Sequence, residues 1–115
     1  MTIKQVMETL DAELLTPEAD LTREVHAACG SDMMSDVLAF VKDQSVLITG
    51  LNNPQVVRTA DMMDMICIVF VRGKRPDAGI LALAEERGMA ILCTRHTMFT
   101  ACGLLYEQGL RGGVG

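Results

Sequence analysis

Ser45-Val46-Leu47-Ile48-Thr49-Gly50-Leu51-Asn52-Asn53, followed by Pro54, is the stretch on which the fold turns. A short apolar run rich in β-branched residues, stopped by Thr49-Gly50 and followed by an Asn-Pro helix start, reads as a buried strand entering a helix. Apolar runs recur at Ile66 to Val71 and Ala90 to Thr94. Their spacing of just over 20 residues suits successive β-α-β units. The intervening segments carry helical stripes at Val56, Ala60 and Met63 and at Ile80, Leu83 and Ala84, the second closed by Gly88 as a C′ residue.

Outward from this core, Thr2 is placed to cap a first helix whose Ile3, Val6, Met7 and Leu10 share one face. Glu13 to Thr16 and Glu24 to Cys29 read as short extended pieces of either direction. Gly30-Ser31-Asp32 offers a cap for a helix through Lys42, with Met34, Val37, Leu38 and Val41 as its apolar stripe. A last helix, roughly His96 to Gln108, is expected to turn Met98, Phe99, Cys102, Leu105 and Tyr106 inward. Right-handed crossovers make the three later strands parallel. The expected architecture is α/β, a three-layer α/β/α domain with a mixed, mainly parallel sheet over residues 1–110, and residues 111–115 form a flexible glycine-rich tail.

The chain has 115 residues, half of them apolar, with three Phe, one Tyr and no Trp. One aliphatic and methionine core is therefore expected. The formal charge of −5 argues against a nucleic-acid or anionic-membrane surface, which would need clustered Lys and Arg. The N-terminus lacks the layout of a signal peptide, and no apolar run approaches the roughly 20 residues of a membrane span. A cytoplasmic protein with reduced thiols is expected. Cys29, Cys67, Cys93 and Cys102 never form a Cys-x-x-Cys pair, so neither a metal nor a cofactor is predicted, although Cys67 and Cys93 are expected to be neighbours on adjacent strands.

Ligands of open α/β sheets bind beyond the C-terminal strand ends, where helix N-termini present unpaired donors. Three loops meet there, and from them Thr49, Gly50, Asn52, Asn53, Arg72, Gly73, Lys74, Thr94 and Thr97 are the candidate ligand-binding residues. The Gly50 loop has neither a Gly-x-Gly-x-x-Gly nor a Walker pattern, so a tight turn with Asn53 capping the next helix competes with phosphate binding. Arg72-Gly73-Lys74-Arg75 ahead of Pro76-Asp77 is the best hint of a small anionic ligand. Cys93 and His96 superficially pair a thiol with an imidazole, but a strand cysteine facing the core is an inert hydrophobe. No catalytic residues are assigned. Asp32, Asp36, Asp61 and Asp64 read as capping and solubilising carboxylates. The nine Met residues, Met33, Met34, Met62, Met63 and Met65 above all, suit an adaptable surface that meets its own copy or a protein partner.

Leu14-Leu15-Thr16, Ser31-Asp32-Met33-Met34-Ser35-Asp36-Val37-Leu38, Leu47-Ile48-Thr49-Gly50, Gly73 to Pro76, and Ile91-Leu92-Cys93-Thr94 leading to Thr97 and Phe99 together resemble the DRTGG domain, here as a stand-alone chain. The resemblance runs over almost the whole sequence. That family is in turn similar to the N-terminal domain of HPr kinase/phosphorylase, which implies a mixed-sheet fold without the kinase chemistry. Many members carry Asp-Arg after the first of these strands and Thr-Gly-Gly after the next, where this chain has Leu51-Asn52-Asn53 and Val71-Arg72-Gly73. The resemblance implies a non-catalytic regulatory or dimerising module, with a sensor of a small anionic ligand such as a nucleotide as the alternative.

Overall fold

The computed structural model describes residues 1–39 and 44–112. Five strands form one sheet in the order β1-β5-β4-β3-β2, where β1 is Glu13–Leu14, β2 Ala27–Gly30, β3 Ser45–Thr49, β4 Cys67–Phe70 and β5 Ala90–Cys93. β2 through β5 are mutually parallel, and β1 runs antiparallel along β5 with Glu13 opposite Cys93. The two early extended pieces thus take opposite directions. The sheet is mixed and mainly parallel, as the sequence predicts.

Every residue of β3, β4 and β5 is buried. A strand covered on both faces has no polar side to alternate with, which is why these strands read as continuous apolar runs. Their alternate residues feed two cores. Val46, Ile48, Cys67, Val69, Ala90 and Leu92 pack with α1, Ile3–Thr9, and α5, Met98–Glu107. Leu47, Ile68, Phe70 and Ile91 pack on the other face with α2, Met34–Val37, α3, Pro54–Met62, and α4, Ala78–Glu86. Among the described residues, two helices therefore cover one face and three the other.

Local signals fix most helix ends. Thr2 Oγ1 accepts from the Gln5 amide while the Gln5 side chain accepts from the Thr2 amide, a complete capping box for α1. Asp77 caps α4 through the Ile80 amide. Gly88 follows the last turn of α4 with φ +68°, a conformation that an L side chain adopts only under strain.

Five expectations need correction. The helix expected through Lys42 is seen only as the single turn Met34–Val37; Val37 is buried and Leu38 is exposed, and Val41 and Lys42 lie outside the described residues, as do 113–115 of the expected tail. Asp32 does not cap that turn, because its carboxylate reaches across to the end of β3. Phe99 and Tyr106 point outward, whereas Leu105 is buried and Met98 and Cys102 are half-buried against the core as expected, with Ala101 buried beside them. Cys67 and Cys93 are not neighbours, because the β4–β5 register sets Cys67 against Ala90 and Cys93 against Phe70. The methionines divide, with Met65 and Met89 in the core and Met33 and Met62 exposed.

Gly30 is held to its size by α5. A Cβ built there would lie 2.6 Å from Cys102 Sγ, too close for any real contact. Gly30→Ala is expected to lower stability by about 1–3 kcal/mol, the usual range for overpacking. Urea denaturation checks this, and adding Cys102→Ala should restore most of the loss.

Candidate functional site

The strand ends are not equivalent. The connections after β3 and β4 cross on one face, into α3 and α4, whereas the connection after β5 crosses on the other, into α5. Adjacent parallel strands whose chains depart to opposite faces leave a crevice between their ends, and this occurs between β4 and β5. A cavity of about 350 Å³ lies there, lined by Leu10, Asp11, Glu13, Gly73, Arg75, Cys93, Thr94, Arg95 and His96.

Its walls are tied together by backbone. Arg72 and Gly73 take φ of +57° and +68°, and the Lys74 amide donates to the Val71 carbonyl at 3.1 Å, making a tight turn after β4. The amides of Arg72 and Gly73 then donate to the carbonyls of His96 and Thr94 at 2.8 and 2.9 Å, which joins the two loops. Thr94 is buried; its hydroxyl donates to the Leu10 carbonyl at 2.8 Å and accepts from the His96 amide at 3.3 Å. The cleft is thus braced to the end of α1 as well as to the sheet.

Arg75 dominates the charge at its mouth. Nη1 and Nη2 donate to Glu13 Oε1 and Oε2 at 2.8 and 3.1 Å, a two-pronged pair with both side chains more than half exposed. Hydrogen bonding from Arg75 and then its charge hold the Glu13 carboxyl below its ordinary value, and Glu13 raises Arg75 by the same contact. Arg95 and His96 add two more groups able to face an anion, and Asp11 adds a second carboxylate. The Cys93 thiol donates to the Lys74 carbonyl at 3.2 Å, and burial pushes it above the usual thiol range. Such a thiol is a poor source of thiolate. Burial pushes Cys67 further, up to about 12. Among the described residues, no three His, Cys, Asp or Glu side chains converge as a metal site.

Of the candidates read from sequence, Gly73 and Thr94 line this cleft, and Lys74 contributes its carbonyl to Cys93. Thr97 caps α5, its Oγ1 accepting from the Thr100 amide at 3.3 Å. Thr49, Gly50, Asn52, Asn53 and Arg72 gather at the neighbouring end of β3. There Asp32 Oδ1 accepts from the Gly50 amide at 2.6 Å and from Thr49 Oγ1 at 3.1 Å. The Arg72 guanidinium lies over the same glycine, 2.8 Å from where a Cβ would stand, so an aspartate and an arginine from two other loops converge on Gly50. Asn52 Nδ2 donates to the Arg75 carbonyl at 3.1 Å, linking this group to the cleft. Asn53 stands at the cap of α3 ahead of Pro54 but makes no capping bond with its side chain, and its buried Oδ1 has no hydrogen-bond partner among the described residues.

Asp11 and Glu13 were not legible as site residues, because only the pairing of β1 with β5 brings them to the strand ends. Arg75 belonged to the basic run read as the best hint of an anion and His96 to the thiol–imidazole pairing, but neither they nor Arg95 were among the candidate ligand-binding residues, and the topological crevice is the feature that groups them.

The structure is similar to the CBS and DRTGG domains of the regulatory region of Clostridium perfringens pyrophosphatase complexed with its activator, diadenosine tetraphosphate. The TM-score is 0.69 at 17% identity over 90% of this chain and 45% of that one. The chain thus spans less than half the length of the structure it matches, and the likeness at this identity is one of fold. The sequence model of the DRTGG domain matches residues 5–107, nearly the whole chain, and the protein therefore belongs to the DRTGG domain family.

Proposed function

We propose that this DRTGG domain is a non-catalytic regulatory module that senses a small anionic ligand of the nucleotide class in the cleft between the ends of β4 and β5. The observation that carries the reading is the cleft itself, a crevice at the point where consecutive chain crossings change face, with Arg75 and Arg95 on its wall. The family supports a regulatory role, and the pyrophosphatase region of similar fold is solved with a nucleotide activator. The likeness expected to the N-terminal domain of HPr kinase/phosphorylase bears on the fold and brings no kinase chemistry to these residues. In this reading the module works in the cytoplasm. No described helix is long and apolar enough to cross a membrane.

Binding would be felt as rigidity. The cleft joins the turn after β4, the loop after β5 and the end of α1, so a ligand bridging Arg75 and Arg95 holds together elements that otherwise meet through a few hydrogen bonds. Thermal shift with 1 mM inorganic phosphate, AMP, ATP or diadenosine tetraphosphate tests the proposal. A dissociation constant near ~100 μM would give about 1.4 kcal/mol of stabilisation and raise Tm by about 5 °C. Arg75→Ala with Arg95→Ala should abolish that rise while leaving the unliganded protein folded. An unchanged Tm with all four compounds overturns the ligand.

A further inference from the structure

The lining of the β4–β5 cleft carries both signs of charge, from different elements. Arg75, Arg95 and His96 come from the loops after β4 and β5, whereas Asp11 and Glu13 come from the passage between α1 and β1. The two carboxylates are not equivalent. Both oxygens of Glu13 are taken by the Arg75 fork, at 2.8 and 3.1 Å. Asp11 is exposed, and among the described residues no hydrogen bond or ion pair engages its carboxylate. Its place is fixed all the same. The Asp11 amide donates to the Glu8 carbonyl at 3.2 Å and the Ala12 amide to the Met7 carbonyl at 2.9 Å, which closes α1 with Asp11 in the left-handed region at φ +48°. A ligand that is anionic throughout would meet like charge at this residue, so the ligand that fits both sides brings hydrogen-bond donors to the end away from its phosphate.

We infer that the ligand is a guanine mononucleotide, with its phosphate at Arg75 and Arg95 and its base read by Asp11; this rests on the nucleotide reading of the cleft given above. An ionised carboxylate accepts hydrogen bonds and donates none, and its two oxygens are best met by two donors side by side. Among the common bases guanine alone presents such a pair, N1–H and N2–H. Adenine and cytosine set an exocyclic amine beside an acceptor nitrogen, and uracil sets one N–H between two carbonyls. Each of those three would turn a lone pair toward Asp11. A site that pairs its polar groups with one ligand rejects the analogue that leaves them unpaired, so the carboxylate selects by chemistry rather than by shape. The cavity of about 350 Å³ lies near the lower end of the roughly 300–1,000 Å³ of small-molecule sites, a size for one nucleoside monophosphate rather than two joined nucleosides.

Isothermal titration calorimetry with GMP, IMP, AMP and inorganic phosphate tests this, since the nucleotides share a phosphate and differ in the donors of the base, while phosphate alone reports the arginines. GMP should bind roughly tenfold more tightly than AMP, with IMP, which lacks the 2-amino group, between them. Asp11→Asn keeps the end of α1, because asparagine accepts the left-handed conformation, and exchanges one acceptor for a donor. It should weaken GMP roughly tenfold, leave phosphate binding no weaker, and make xanthosine monophosphate, which carries oxygen at C2, the tighter ligand of the two. Equal affinities for GMP and AMP, both lost in Arg75→Ala with Arg95→Ala, overturn the guanine assignment and leave the anion cleft standing. Phosphoethanolamine binding more tightly than GMP overturns it in favour of an ammonium at Asp11. No binding of GMP, AMP or phosphate overturns the guanine assignment together with the nucleotide reading on which it rests.

Discussion

Phe70→Ala is expected to cost about 3–5 kcal/mol, the range for deleting a fully buried phenyl ring, and so to consume much of the 5–15 kcal/mol that a domain of this size holds. Phe70 is the largest of the fully buried side chains and ends the central strand β4, where it pairs with Thr49 on one side and Cys93 on the other. Its ring belongs to the core with Val56, Val57, Ile80 and Ala84. Few aromatic residues are present to share that volume, and the aliphatic neighbours on a stiff sheet can collapse into the void only in part. Urea denaturation measures the loss, and Phe70→Leu, which keeps most of the volume, should cost about 1–2 kcal/mol. An equal loss in both variants would show that ring shape rather than volume matters there. Because the residue after next begins the turn that lines the cleft, Phe70→Ala should also loosen that turn, seen as faster hydrogen exchange at the amides of Arg72 and Gly73.

The same strand shows why the fold was legible from its middle outward. β3, β4 and β5 are buried on both faces, so their sequences are unbroken apolar runs, and the turn residues between them fix where each helix starts and stops. β1 has two residues and owes its place to pairing with β5 across nearly eighty residues of chain, information that no local pattern carries. α5 was placed correctly, but its inward face was drawn too wide, taking in Phe99 and Tyr106, for a different reason. Met98, Phe99, Cys102, Leu104, Leu105 and Tyr106 surround the helix, so the apolar pattern identifies a helix without fixing its phase. Sheet register likewise separates Cys67 from Cys93, although both lie on adjacent strands.

Site residues followed the same division. Strand-end logic pointed to three loops; backbone bonds from Arg72 and Gly73 to His96 and Thr94 join two of them, and the Asn52 side chain reaches the Arg75 carbonyl from the third. What distinguishes one pair of strand ends from another is the face each following helix takes, and that depends on how α1 and α5 share the second face of the sheet. Asp32 illustrates the limit in one residue. Sequence makes it a cap, whereas its carboxylate instead satisfies the amide of Gly50 and the hydroxyl of Thr49 at the end of β3. A short side chain beside a helix start has two sets of donors within reach, and only the fold decides between them.

Glu13→Gln is expected to tighten anion binding in the β4–β5 cleft, and Arg75→Ala to weaken it, so that two neighbouring substitutions move affinity in opposite directions. In the unliganded protein both prongs of Arg75 are engaged by Glu13 at 2.8 and 3.1 Å, and an incoming phosphate must compete with that carboxylate. Glutamine offers one neutral oxygen in place of two charged ones, frees the fork in part and removes a repelling charge; a several-fold gain is expected, against a loss of about tenfold when the fork itself is deleted. Acid should reproduce the gain. Arg75 lowers Glu13 from its ordinary value of 4.5, so the pair and the stability it lends are fully present above that pH and are lost as pH falls through the depressed value. Arg75 is released in the same window. Titration with sulfate, whose charge is constant over this range, should therefore show affinity rising in the wild type as pH falls below about 4.5 and no such step in Glu13→Gln. Because the pair is exposed, high salt should flatten the step by screening it. Equal weakening in both variants would mean that Glu13 holds Arg75 in its binding position rather than competing for it, and the order of the two affinities decides between these roles.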